Sequence, residues 1–378
     1  MTGEKPSLQH TAQDNESLSI RLTTADEGST PVYISGNFNG WRTGDEQYRM
    51  KQEGPGVYSF IFKDKHLLPG YLEYKYHRGN WDAGELDEHG NPAQNRRLET
   101  HQVREISDHV PRWLKDGRAY NPAFLPEVQV ISEQFEIPQL IKTRRIAALL
   151  PHDYQESDKR YPVLYLQDGQ NLFDDYAPFG NWGVDKKLAV MAERGFGDII
   201  IVAIDHAEKE RIAEFTPSHH TKLGSGDGKK YVRFLADTLK AYVDKHFRTQ
   251  PERAYTGIGG SSMGGLISIY AGLMYPEVFG KLMVFSPSLW VMPNIHFHFL
   301  NFHDPQDMDI YLYGGEEESA NMVPNIRRFQ KAFEDSGSAN IKFKLSVDPQ
   351  GQHNEARWGE EFPRAVEWLF FNKKETEK

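Results

Sequence analysis

The chain of 378 residues contains no cysteine. That excludes disulfides, thiolate catalysis and cysteine-ligated zinc, and it fits a reducing compartment. No apolar run approaches the roughly 20 residues of a membrane-spanning helix. The stretch from Met1 to Ser17 lacks the apolar core of a secretion signal, so the expectation is a cytoplasmic protein with no membrane partner. Basic residues are outnumbered: 44 Lys and Arg stand against 54 Asp and Glu, a formal net charge of −10. Such a balance does not point to a nucleic-acid partner. Residues 1–16 and the tail from 373 have few apolar positions and are expected to be disordered.

What is present is enough for a core, with 38% hydrophobic residues, and a length that suggests two or three domains. Residues 17–106 read as short strands between turns, at 18–22, 32–35, 57–62 and 71–76, with no helical stretch. This is the pattern of a small all-β, immunoglobulin-like sandwich. Residues 107–127 carry Pro111, Pro122 and Pro126 and little periodicity. They are expected to be a linker, with Trp113, Tyr120 and Phe124 available to pack against the second domain.

From 128 to 373 the pattern changes. Two antiparallel strands, 129–135 and 144–150, precede buried-type strands at 161–166, 198–204, 281–285, 308–313 and 341–347. Helical patterns fall at 184–194, 231–247, 322–333 and 363–371. Alternating strands and helices predict a doubly wound, mostly parallel α/β sheet with its ligand site beyond the carboxyl ends of the strands.

The second domain is organised around Gly260-Ser261-Ser262-Met263-Gly264. A strand-like run enters it and the helix-like 266–271 leaves it. Strand, tight turn and helix are the setting in which Gly-x-Ser-x-Gly forms a nucleophile elbow. Side chains at Gly260 or Gly264 would collide with the neighbouring strand and helix, and the turn strains the serine backbone. The helix start directs N–H groups to where an oxyanion would form.

A serine hydroxyl needs a base. In the α/β-hydrolase arrangement the chain order is Ser, then Asp or Glu, then His. His353 lies between the last predicted strand and the final helix, as the base should. The acid belongs after strand 308–313, in Gly314-Gly315-Glu316-Glu317-Glu318-Ser319, and spacing leaves Glu317 and Glu318 both open. One oxyanion donor is the backbone N–H of Met263. The other is expected from Gln167-Asp168-Gly169-Gln170-Asn171, at Gln170 first and Gly169 next.

Four segments carry a resemblance: 161–173, Gly260 to Leu266, Phe285-Ser286-Pro287-Ser288-Leu289-Trp290 and His353-Asn354-Glu355. Together they resemble the esterase branch of the α/β-hydrolases, which holds esterase D-like enzymes, enterochelin esterases and feruloyl or acetyl-xylan esterases. The resemblance covers about residues 130 to 372. It implies Ser262 as nucleophile, His353 as base and Glu318 as the acid, the last because Ser319 and Met322 follow it. In the first domain, Gly36-Asn37-Phe38-Asn39-Gly40-Trp41 and 72–81 resemble starch- and glycogen-binding modules. That implies a sugar platform of Trp41, Lys75 and Trp81, with Asn95-Arg96 as the closing pair. A flat ring stacks on a pyranose face and a nearby amine bonds its hydroxyls.

The expectation is therefore a serine carboxylic-ester hydrolase working through an acyl-enzyme on a carbohydrate-linked ester of acetyl or feruloyl type. The alternatives are a siderophore trilactone esterase and a non-catalytic glycan-binding protein. Trp182, Trp290 and Arg211 are candidates for substrate contact, and an α-glucan is a candidate partner of the first domain. No cofactor is required. His219-His220 and His296-x-His298 lack carboxylates in a ligand pattern, so no metal is expected. Gly224 to Lys230 lacks the spacing and the closing Ser/Thr of a phosphate loop. The oligomeric state is left open.

Overall fold

The computed structural model describes residues 17–26, 28–177, 180–295, 306–335 and 340–371. The termini expected to be disordered, and His296 and His298, lie outside these residues. The chain divides into two compact units, Met1–Tyr120 and Asn121–Lys378.

The first unit is a two-sheet sandwich. Its strands are β1 (Leu18–Thr24), β2 (Tyr33–Gly36), β3 (Lys51–Gly54), β4 (Val57–Phe62), β5 (Tyr71–His77), β6 (Glu85–Leu86), β7 (Arg96–Glu99), β8 (Glu105–Val110) and β9 (Arg112–Trp113). One sheet has the order β3-β4-β1-β8 and the other β2-β5-β7, with β6 and β9 forming a short pair. Leu18, Ile20 and Leu22 alternate with more exposed neighbours along β1, and they meet Ile34, Leu72, Tyr74 and Tyr76 in one core. Period-two burial of this kind is what a half-solvated sheet requires.

The expected linker at 107–127 differs. Its first part completes the sandwich, because β8 pairs in parallel with β1. Trp113 is buried in this core, with its indole N–H donating to Thr24 Oγ1 at 2.8 Å. It is a core residue of the first unit rather than a linker residue. Pro111 only separates β8 from β9 and marks no domain boundary.

The second unit carries one eight-stranded sheet. Its strands are β10 (Glu127–Ile137), β11 (Lys142–Leu150), β12 (Val163–Gln167), β13 (Ile200–Ile204), β14 (Thr256–Ser261), β15 (Lys281–Phe285), β16 (Met308–Gly315) and β17 (Ile341–Asp348). The order is β10-β11-β13-β12-β14-β15-β16-β17. The pairs β10-β11 and β11-β13 are antiparallel, and the six strands from β13 onward are parallel. The helices are α1 (Val184–Glu193), α2 (Arg211–Phe215), α3 (Gly228–Arg233), α4 (Lys240–His246), α5 (Met263–Met274), α6 (Met322–Asp335) and α7 (Glu355–Val366).

Alternate residues of each central strand feed opposite cores. Val163, Tyr165, Val202 and Ile258 pack with α3 to α6, whereas Leu164, Leu166, Ile201 and Met283 pack with α1 and α7. Burial on both faces explains the continuous apolar runs. The predicted helix at 231–247 is one helical run, α3 and α4 joined by a π-helical segment, Phe234–Leu239. The last helix starts at Glu355, eight residues before its expected start at Pro363. The Asn354 side chain caps it by accepting the Arg357 N–H at 3.1 Å. Asparagine is a favoured N-cap, so the signal is present in the sequence.

Candidate active site

Strand β14 ends at Ser261 and helix α5 begins at Met263. Ser262 between them has φ 57° and ψ −120°, a left-handed conformation that costs a non-glycine residue free energy. Two glycines make the turn feasible. A Cβ on Gly260 would lie 3.0 Å from Gln167 Cβ, and one on Gly264 would lie 2.9 Å from Asp168 Oδ2. The Ser262 N–H donates to Phe285 O at 2.9 Å, which pins the turn to the end of β15.

The carboxyl ends of β16 and β17 deliver the partners. Glu318 Oε2 lies 2.6 Å from His353 Nδ1. The Glu318 side chain is 1% exposed and the His353 side chain 40%, so the carboxylate is sealed behind an accessible ring. Glu317 points elsewhere: its side chain accepts from Gln352 Nε2 at 3.3 Å in an exposed setting. Spacing could not separate the two glutamates, and only Glu318 meets the histidine. Ser262 Oγ is 3.3 Å from Ser288 Oγ, and among the described residues it makes no hydrogen bond to His353. Contacts between a nucleophile and its base commonly tighten when substrate binds.

The N–H of Met263 opens α5, and no acceptor of the chain takes it among the described residues. Opposite it, Asp168 (φ 58°) starts the turn Gly169–Asn171 after β12. The Gln170 side chain is fixed to His206, donating to its carbonyl at 3.0 Å and accepting its N–H at 2.9 Å. The Gln170 main-chain N–H has no backbone acceptor among the described residues. Asp205 borders this turn, and burial pushes its carboxyl up to about 6. Glu355, two residues past His353, reaches Asn171 Nδ2 at 3.5 Å and is likewise raised by burial. The only sequence signal for its place in the site is its membership of the His353-Asn354-Glu355 motif.

The three candidate substrate contacts fall in different surroundings. Trp182 is 4% exposed and stacks on Phe285 at 5.3 Å, which is a core packing position. Trp290 is 49% exposed, two residues past Ser288. Arg211 is engaged in a two-pronged ion pair with Asp168. A cleft of about 250 Å³ follows Ser288, lined by residues that include His220, Lys222, Val291 and Met292.

In the first unit, Trp41, Lys75, Trp81 and Asn95 line a pocket of about 290 Å³. The two indoles are 6.3 Å apart, and burial lowers the Lys75 ammonium from its ordinary range. Arg96 departs from its expected place in the closing pair. It is committed to the buried Glu85 carboxylate at 2.6 Å and lies over the Tyr76 ring. Among the described residues one group has metal-ligand geometry, His152, Asp153 and Asp198. The Lys159 ammonium already pairs with both carboxylates, 3.0 Å from Asp153 and 3.8 Å from Asp198.

A mostly parallel sheet of this order, with a strained serine between a central strand and its helix, defines an α/β-hydrolase. The chain belongs to the family described as "Putative esterase", whose model matches residues 138–369. It is thus an enzyme of an esterase family. An uncharacterised Bacillus subtilis protein, YbbA, is 23% identical over 249 residues, 62% of this chain and 95% of that one. An endo-1,4-beta-xylanase/feruloyl esterase of Xylanibacter ruminicola is 23% identical over 232 residues, 58% of this chain but 28% of that one. The enterobactin esterase of Shigella flexneri shares the fold, with a TM-score of 0.51 at 16% identity, covering 93% of this chain and 92% of that one.

Proposed function

We propose that the protein is a serine carboxylic-ester hydrolase with Ser262 as nucleophile, His353 as base and Glu318 as the acid that orients it. The observation that carries this reading is the buried Glu318 carboxylate 2.6 Å from His353 Nδ1, on the strand ends beside the strained Ser262. Ser262 Oγ attacks the ester carbonyl carbon and its proton passes to His353 Nε2. Glu318 stabilises the imidazolium without taking a proton. The Met263 and Gln170 amides hold the tetrahedral oxyanion. The intermediate collapses, the alcohol leaves with the proton from His353, and water repeats the sequence on the acyl-enzyme.

For the substrate we favour an ester carried on a carbohydrate. The pocket of Trp41, Lys75, Trp81 and Asn95 supports this, because two indoles and an amine suit a glycan. A siderophore trilactone is the second reading, supported by a fold shared with an enterobactin esterase over both units. It calls for uncommitted positive charge near Ser262, and Arg211 is neutralised by Asp168. Intact-mass labelling with a fluorophosphonate tests the chemistry. One adduct is expected on the wild type and none on Ser262→Ala. Ester turnover retained by Ser262→Ala would sink the reading. No adduct on folded wild type would favour a glycan-binding protein. Acetylated and feruloylated sugars set against a ferric trilactone siderophore then decide the substrate.

A further inference from the structure

The turn after β15, Ser286-Pro287-Ser288, touches both ends of this machinery. Ser288 Oγ neighbours the Ser262 hydroxyl. Ser286 is fully buried, has φ 45°, and its N–H donates to Tyr313 O at 2.8 Å. A left-handed, buried, non-glycine residue is held there at a free-energy cost. Its hydroxyl lies between two groups of fixed hydrogen-bond sense. The Trp358 indole N–H can only donate, and does so to Ser286 Oγ at 2.9 Å. The Glu318 carboxylate only accepts when ionised, and Oε1 takes the Ser286 hydroxyl at 2.7 Å. The run Trp358 to Ser286 to Glu318 is therefore polarised in one direction.

Glu318 Oε1 also accepts the Gly315 N–H at 2.6 Å. With two donors on Oε1, the carboxylate cannot turn, and Oε2 is presented to His353 Nδ1. Nδ1 must then carry the proton, which leaves the Nε2 lone pair for the Ser262 hydroxyl. Trp358 enters a second time: its ring stands edge-to-face against the imidazole, with centroids 4.9 Å apart at 85°.

We propose that Ser286 and Trp358 are positioning residues, fixing the rotation of the Glu318 carboxylate and, through it, the tautomer and plane of His353. This rests on the serine-hydrolase reading above and extends it to two residues outside the triad. The competing account is that Ser286 merely satisfies a buried indole N–H.

Two measurements on the full chain separate these accounts. The first is independent of activity: the far-downfield proton resonance of His353 Nδ1–H, assigned by its loss in His353→Gln. Ser286→Ala is expected to shift or broaden it. Trp358→Phe, which keeps a ring on the imidazole, is expected to move it in the same direction by less. The second is a double-mutant cycle on ester turnover. Ser286→Ala should lower kcat about 10- to 100-fold, the kinetic equivalent of one charge-assisted hydrogen bond, with KM within about twofold. In a Glu318→Gln background the same change should cost less than about twofold, because its route of action is gone. An unmoved resonance, or an equal loss in both backgrounds, overturns the proposal. If Ser286→Ala does not fold, Trp358→Phe carries both tests. A resonance that answers to Ser286→Ala in a protein whose turnover ignores Ser262 would keep the positioning role and remove the esterase reading.

Discussion

Asp168 and Arg211 are joined by a two-pronged ion pair, Nε to Oδ1 at 2.6 Å and Nη2 to Oδ2 at 2.7 Å. The aspartate heads the turn that bears Gln170, and its Oδ2 packs where a Cβ on Gly264 would stand. Arg211, from the short helix α2, thereby clamps the turn after β12 against the start of α5. Removing the arginine would leave a buried carboxylate unpaired.

Arg211→Met is accordingly expected to destabilise the second unit by about 3 to 5 kcal/mol. Arg211→Lys keeps the charge without the fork and should fall between that variant and the wild type. Chemical denaturation of the full chain measures both. Wild-type stability in Arg211→Met would show that the clamp is dispensable.

Glu318 and Glu317 offer a paired comparison. Glu318→Gln is expected to lower kcat by roughly 10² to 10⁴, as losing the orienting acid of a triad does. Glu317→Gln alters an exposed side chain whose partner is Gln352, and it should stay within about twofold of wild type. Steady-state hydrolysis of a chromogenic ester reads both. The reverse ranking would transfer the acid role to Glu317.

His77 predicts a pH dependence in the first unit. It is buried, its Nδ1 accepts the Gly79 N–H at 3.1 Å, and its Nε2 lies 2.8 Å from Ser35 Oγ. Burial holds it down at about 4, against an ordinary 6.5. The unfolded chain therefore takes up a proton at higher pH than the folded one. Stability should fall as pH drops from about 6.5 toward about 4. Denaturation at about pH 7.5 and about pH 5, followed by Trp fluorescence, checks this. His77→Gln should flatten the dependence, and an unchanged slope would place its origin elsewhere.

Trp41 and Trp81 provide a test of glycan binding. Trp81 is 39% exposed and rests edge-on against His77 at 4.9 Å. Retention on immobilised amylose is expected for the wild type and lost in Trp41→Ala and in Trp81→Ala. The loss of one stacking surface is worth about 1 to 3 kcal/mol by analogy with other ring-stacking sites, enough to abolish weak retention. Equal elution of all three proteins would remove the glycan from the first unit.

Much of this protein is local and so legible in its sequence. Continuous apolar runs identify β12 and β13, because strands buried on both faces need no polar alternation. Gly260, Ser262 and Gly264 mark the elbow, because only small neighbours permit its backbone. The positions of Ser262 and His353 follow from chain order. What the sequence did not decide were relations between distant segments. Three consecutive glutamates look alike to any periodicity, and it is the packed sheet that brings Glu318 rather than Glu317 to His353 Nδ1. Trp182 and Trp290 are both tryptophans in loops, yet one is sealed against Phe285 and the other faces solvent. Arg211 is a candidate substrate contact in the sequence, and only the fold shows that Asp168, 43 residues earlier, occupies it. Hydrophobic pattern fixes which face of a strand or helix is buried, but the pairing of polar groups depends on which chain segments the packed sheet brings together.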